Sequence, residues 1–216
     1  MQSTAMKIVA ALTDPALAAS AEGEGADMIE LRLDLIDGDV LGQVARARRE
    51  CRLPVIGTLR SGHEGGRYLG SPEEWIVKLR PFLPLIDYVD IEQRFSAHAA
   101  EIRAAGKTVV SSCHMPGMPS LPELFAIERG LREYGDIPKI IVTPGNPEDV
   151  IELISFTHAV KQPVCTGVMG AEFRYARAVL ALFGSELVYC CIGTPTATGQ
   201  YTVREFAGLM KLLGRS

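Results

Sequence analysis

Eight short apolar runs, each followed by a stretch with helical spacing, predict a closed (β/α)8 TIM barrel of the α/β class. The alternation is regular from Lys7 to Leu213, with no linker or low-complexity segment, so residues 1–216 are read as one catalytic domain. Runs such as Ile137-Pro-Lys-Ile-Ile-Val142 are apolar on both faces, as a parallel sheet covered by helices requires. The fold alternative, a doubly wound open sheet, lacks support because no Gly-x-Gly-x-x-Gly follows the first run.

The first strand is Lys7-Ile-Val-Ala-Ala-Leu-Thr13, and Asp14-Pro15 caps a helix over 15–22. After the Gly23-Glu-Gly25 stop, the strand at 27–34 sets Glu30, Arg32 and Asp34 on one face and Ile29, Leu31 and Leu33 on the other. A helix over 39–51 precedes the strand at 54–60, and the glycine-rich loop Ser61-Gly-His-Glu64-Gly-Gly-Arg67 follows it. Ser71-Pro-Glu-Glu74 caps a helix over 71–84. Next come a strand at 88–92, a helix over 95–105, a strand at 108–114 ending in His114, and a helix over 120–133. The sixth strand holds Lys139. The remaining units are a helix over 146–161, a strand at 163–169, a helix over 171–182, a strand at 186–192, a small-residue loop over 193–200 and a final helix over 202–213.

With 216 residues the chain is long enough for one sizeable core. A net charge of −4 argues against a general nucleic-acid or acidic-membrane surface. No apolar run reaches the roughly 20 residues that span a bilayer. Residues 1–6 lack the blocks of a signal peptide and read as an N-terminal extension ahead of the fold. Cys51, Cys113, Cys165, Cys190 and Cys191 form no Cys-x-x-Cys unit and read as buried, reduced thiols of a cytoplasmic protein.

A lone lysine at the start of a strand ordinarily snorkels to solvent. Lys139 stands out because a closed barrel leaves its face little water to point into. Active sites of such barrels lie at the C-terminal ends of the strands. Those ends contribute Glu30, Arg32, Arg60, Glu64, Glu92, His114, Arg174 and Gln200. Arg32 and Arg60 beside the lysine would favour a neutral, nucleophilic amine, and His114 supplies a proton carrier. Glu64 or Glu30 can fix the histidine tautomer, while Arg174 and the amides near 193–200 offer a carboxylate clamp. Together these describe Schiff-base chemistry on a ketone-bearing acid. A metal shell drawn from His63, His114, Glu30, Glu92 and Cys113 is the competing reading, although no two histidines have the short spacing of metal motifs. Phosphate binding by Gly167, Gly170, Gly193 and Gly199 is another.

In order along the chain, several segments resemble type I 3-dehydroquinate dehydratase. They are Gly-Ala-Asp-Met-Ile-Glu-Leu-Arg-Leu-Asp (25–34), Thr-Leu-Arg-Ser-Gly-His-Glu-Gly-Gly (58–66), Ser-Cys-His (112–114) and Pro-Lys-Ile (138–140), followed by Met-Gly (169–170) with Arg174, Phe-Gly-Ser (183–185) and Gly-Gln (199–200). The resemblance implies that Lys139 forms an imine with the ketone of 3-dehydroquinate and that His114 is the general acid and base. It implies further that Glu64 orients His114, that Glu30, Arg32 and Arg60 contact ring hydroxyls, and that Arg174, Thr196 and Gln200 bind the rest of the substrate, its carboxylate included. No metal or cofactor is implied, and a homodimer is expected by analogy. The reaction would be a syn dehydration to 3-dehydroshikimate in the shikimate pathway of aromatic amino-acid biosynthesis. The chain departs from the family pattern at Thr196 and Thr198, where serine and proline are usual, and at Phe173, where serine is frequent. An aldolase-like lyase using the same imine and a non-catalytic anion-binding barrel are the other readings.

Overall fold

The structure, a computed structural model, describes residues 6–214; apart from Met6, the extension expected over 1–6 lies outside them. Among the described residues, eight strands alternate with eight α-helices in one right-through succession. The strands are β1 (Lys7–Leu12), β2 (Met28–Arg32), β3 (Val55–Thr58), β4 (Tyr88–Glu92), β5 (Thr108–His114), β6 (Ile137–Val142), β7 (Cys165–Val168) and β8 (Leu187–Cys191). The helices are α1 (Ala18–Glu24), α2 (Val40–Glu50), α3 (Pro72–Leu79), α4 (Ala99–Ala104), α5 (Leu121–Tyr134), α6 (Pro147–Ala159), α7 (Ala176–Leu182) and α8 (Val203–Leu212). All pairings are parallel, and the sheet order β7-β6-β5-β4-β3-β2-β1-β8 bends β8 round to β1 to form a nearly closed barrel.

The remaining seam, between β7 and β8, is bridged by hydrogen bonds, among them one from the Cys165 thiol to the Leu187 carbonyl at 3.3 Å. The Glu186 amide donates to the Val164 carbonyl at 2.8 Å. The buried Ser185 hydroxyl accepts from the Thr166 amide at 2.9 Å and lies 3.0 Å from the Thr166 carbonyl. One side chain thus replaces the strand partner that Thr166 would have in a continuous ladder.

Strand alternation divides the apolar residues into two cores. Outward-facing residues such as Ile29, Leu31, Ile91 and Val109 pack beneath the helices with Trp75, Phe95 and Phe206. The inward face carries a plug of Val9, Met28, Ile56, Val110, Ile137, Cys165 and Leu187, with Tyr88 and Tyr189 half-buried against it. On β2 to β6 the next inward positions are polar, namely Glu30, Thr58, Asp90, Ser112 and Lys139, while β1 and β7 carry Ala11 and Gly167 there. The plug is therefore a dry floor, and the polar layer stands on it about 6–7 Å higher along the strands.

Helix ends follow the cap residues: Ser71 with Glu74, Ser120 with Glu123 and Thr202 with Glu205 form capping boxes, and Asn146 caps α6. Three expected helices are shorter. Arg80–Leu85 is a 3-10 segment because Pro81 and Pro84 lack the N–H an α-helix needs and crowd the preceding turn. Gln93–His98 is also 3-10, and residues 171–175 form turns ahead of α7. Four of the five cysteines are buried as expected, but Cys113 is only partly so.

Ser185→Ala removes the seam's substitute partner and leaves a buried Thr166 amide unpaired, a loss of about 1–3 kcal/mol. The melting temperature should fall by about 2–4 °C per kcal/mol. A melting curve unchanged from wild type would show that the seam does not depend on this hydroxyl.

Candidate functional site

The polar layer is built around one arginine. Arg60 follows β3, and its buried guanidinium touches four groups. It donates to Asp90 at 2.8 Å, Ser112 at 2.8 Å, Glu92 at 3.2 Å and Glu64 at 3.4 Å. Ser112 in turn donates to Asp90 at 2.5 Å. Asp90 receives the Lys139 ammonium at 3.0 Å, and Glu30, which accepts from Thr58 at 2.7 Å, lies 3.9 Å from the same nitrogen. Glu92 binds the amide of Ser61 at 2.8 Å and also its hydroxyl, tying the β3–α3 loop to β4. Lys139 is 4 % exposed, and among the described residues it is the only lysine that the fold buries.

Register places the catalytic candidates one above another. Ser112 on β5 pairs with Lys139 on β6, so His114 lies opposite Ile141, one inward position higher. Its Nδ1 is 2.7 Å from a Glu64 carboxylate oxygen. Glu64 reaches this point because its loop folds back onto β3. The Gly66 amide donates to Ser61 at 2.8 Å, and a Cβ on Gly66 would come within 2.1 Å of the Arg60 carbonyl. Only glycine allows that approach. Asp34 holds the same loop from the β2 side, accepting from the amides of Arg60 and Arg67 at 3.3 and 3.1 Å.

The electrostatics differ from the sequence expectation. Arg32 and Arg60 were expected to surround Lys139 with positive potential. Instead Arg32 makes a two-pronged pair with Asp34 at 2.9 Å, and Arg60 is consumed by Asp90, Glu92 and Glu64. The groups closest in charge to Lys139 are carboxylates. Glu30 and Arg32, though on one face, do not pair with each other. Burial alone would raise the Asp90 carboxyl, but Arg60 and then Lys139 hold it well below the usual range, so it stays ionised. Burial pushes the Glu64 carboxyl up to about 8 although Arg60 opposes the shift. His114 is held well below its usual value by burial, then by Arg60 and Lys139. Glu64 and His114 form one coupled unit that favours the uncharged pair over carboxylate and imidazolium.

The clamp expected at the mouth is arranged differently. Arg174 precedes α7 rather than sitting in its first turn, pairs with Glu205 at 2.8 Å and stacks over Tyr201 with its guanidinium 3.8 Å from the ring centroid. Two of the loop amides expected to cradle an anion are already engaged: Gln200 Oε1 accepts from Thr196 and Ala197 at 2.9 and 3.2 Å. Thr196 keeps its hydroxyl on Gln200 at 3.1 Å. Arg174, Thr196 and Gln200 thus form a group of their own, linked by the Arg174–Gln200 carbonyl contact at 3.4 Å. The mouth is packed through Gly199, whose φ of +79° and whose missing Cβ, 2.3 Å from the Gly170 carbonyl, leave no room for another residue. His63 of the alternative metal set is exposed. Asp90 and Ser112 were not singled out from sequence, and Asp34 was placed on the site face without a role; a charged residue between Val89 and Ile91 was the available signal for Asp90.

Because folding raises the Glu64 carboxyl, the folded chain holds that proton more tightly than the unfolded one. Its contribution to stability is present below pH 4.5 and is lost as pH rises through 8. Glu64→Gln should therefore melt with wild type near pH 4.5 and above it past pH 8, by on the order of 2 kcal/mol. A constant offset across this range would contradict the shift.

A family model for "Type I 3-dehydroquinase" matches residues 8–216. A 3-dehydroquinate dehydratase of Methanoregula boonei is 58% identical over 208 residues, covering 96% of this chain and 100% of the relative. That of Methanospirillum hungatei is 39% identical, covering 96% and 81%. Among solved structures, the 3-dehydroquinate dehydratase of Aquifex aeolicus is 30% identical with a TM-score of 0.84, covering 98% of this chain and 100% of that one. The enzyme of Geobacillus kaustophilus has a TM-score of 0.84 at 26% identity, covering 98% and 93%. With a match along nearly its whole length, the chain belongs to the type I 3-dehydroquinase family and is a hydro-lyase of that type.

Proposed function

We propose that this enzyme dehydrates 3-dehydroquinate through an imine on Lys139, with His114 as the general acid and base. The observation that carries the reading is the burial of one lysine on a polar layer, beside a histidine kept as free base. Lys139 adds to the C3 ketone and water leaves. The iminium then acidifies the neighbouring C2 proton, and His114 removes it. The enamine expels the C1 hydroxyl, which takes the proton back from His114 on the same face, a syn elimination. Hydrolysis of the product imine releases 3-dehydroshikimate, and this places the enzyme in the shikimate pathway.

Geometry supports distinct roles. Asp90, firmly ionised, is a fixed counter-charge for the nitrogen and a poor proton acceptor. The proton that the ammonium loses therefore goes to His114 or to water. With Glu64 ionised, Nδ1 carries the proton and Nε2 presents its lone pair to the substrate. Glu30, Arg32 and Arg60 are assigned to the ring hydroxyls and Arg174, Thr196 and Gln200 to the carboxylate end. The last three must then exchange their present partners for the ligand. Simple anion binding would leave the Glu64–His114 pair without a task.

Borohydride added with 3-dehydroquinate should leave a reduced adduct on Lys139, identified by peptide mass, and Lys139→Ala should leave none. An adduct elsewhere, or none in folded wild type, refutes the imine. His114→Ala should still trap adduct while turnover falls by about 10²–10⁴-fold; full activity would remove its role.

The pH profile tests the coupled pair. In free enzyme the pair becomes a base only after losing one proton, so kcat/KM should rise through a limb near pH 8. Without the carboxylate, Glu64→Gln should move that limb to acid pH and lower the plateau at least about tenfold. A limb that stays put assigns the titration to another group.

A further inference from the structure

Tyr189, on β8, has no part in the roles assigned above, yet its ring is in contact with the reacting atom. The Lys139 ammonium nitrogen lies 3.8 Å from the centroid of the Tyr189 ring. The nitrogen is thus held between Asp90 at 3.0 Å, Glu30 at 3.9 Å and a ring face. Room for so large a side chain comes from β7, which lies between β8 and β6 and contributes Cys165 and Gly167 at its inward positions. The hydroxyl does not explain the placement: it is buried and without a hydrogen-bond partner among the described residues. Burial also pushes the phenol well above its usual value, so it is neither a proton donor of use nor a phenolate counter-ion.

We propose that Tyr189 is a catalytic residue whose ring face stabilises the cationic iminium formed on Lys139. The proposal rests on the imine reading above and adds to it. Imine formation converts the ammonium and the ketone into an iminium and water. The nitrogen's new bond to carbon becomes double, the oxygen leaves with two of the three N–H protons, and the positive charge stays on the nitrogen side. Charge is conserved, but two of three hydrogen-bond donors are lost. Asp90, the carboxylate hydrogen-bonded to the ammonium, then has a single N–H to accept from, with Glu30 3.9 Å from the same nitrogen. A ring quadrupole acts on charge rather than on hydrogens, so its attraction survives the step. It is absent for the neutral carbinolamine that precedes the iminium. The ring therefore favours both cations, ammonium and iminium, over the neutral carbinolamine between them, and the iminium, left with one N–H, depends on it more than the ammonium, whose other N–H groups can find new acceptors.

The test compares Tyr189→Phe, which keeps the ring, with Tyr189→Leu, which keeps apolar bulk without it. Three quantities are read at saturating 3-dehydroquinate: the fraction of Lys139 trapped by borohydride, kcat against KM, and the melting temperature. Tyr189→Phe should match wild type within about twofold, since the hydroxyl is idle. Tyr189→Leu should lose about 2- to 30-fold in trapped fraction and kcat, with KM changed less. A shape-preserving series of fluorinated phenylalanines at 189 removes any doubt from folding, because trapping should fall stepwise as fluorine drains the ring face. Wild-type trapping in Tyr189→Leu, a flat fluorine series, or a Phe variant as impaired as the Leu variant overturns the role of the ring alone. No adduct in wild type overturns the imine and the ring together.

Discussion

The interior depends on a buried ion chain, Lys139 to Asp90 to Arg60, with Arg60 continuing to Glu92 and Glu64. Buried charges rarely add stability over well-packed apolar residues, and breaking one such pair leaves its partner uncompensated. This chain joins β3, β4 and β6 across the lumen at the level where the apolar plug ends. Every later feature of the site is referred to it. Arg60 fixes where Glu64 stands, Glu64 fixes the ring of His114, and Asp90 fixes the amine. Excess of acid over base in the layer has a further result. Arg32, Arg60 and Lys139 face Glu30, Asp34, Glu64, Asp90 and Glu92, two more acids than bases, and the carboxyl that burial pushes up to about 8 is that of Glu64, beside the histidine.

The fold was legible because it rests on coarse signals. Apolar runs set eight strands, and cap residues such as Ser71, Ser120 and Asn146 set helix starts. Strand alternation also assigned Lys139 and Glu30 their faces, and the position of His114 at a strand end brought it to the site. What it did not supply was pairing. Arg32 could reach Glu30 or Asp34 on the same face, and only the turn after β2 decides for Asp34. Asp90 was passed over in favour of Glu92 at the strand end, although a carboxylate in mid-strand has fewer alternatives to a buried cation. The mouth was least legible. Arg174 and Gln200 lie in turns whose conformation is set by partners distant in sequence, Glu205 among them, and periodicity carries no information about such contacts.

Floor and layer divide the work of the lumen. Val9, Met28, Ile56, Val110, Ile137, Cys165 and Leu187 exclude water from below, and this lets few charges at short range act with the strength of a low-dielectric medium. Tyr189 belongs to both parts, with its edge on the floor and its face toward the lysine.

Arg174 is already engaged by a carboxylate, that of Glu205, which also caps α8 through Thr202. In the proposed binding mode a ligand carboxylate does not fill a bare cation but displaces a resident one. Much of the ion-pair energy then cancels, so the clamp contributes less to affinity, and less to the preference for an anion, than a bare cation would. A ligand without a carboxylate has nothing to offer in the exchange, and the mouth keeps its resting partners. Entry is open to an anion that can stand in for Glu205, and a stronger salt bridge at rest would weaken both the hold on that anion and the preference for it over an uncharged ligand.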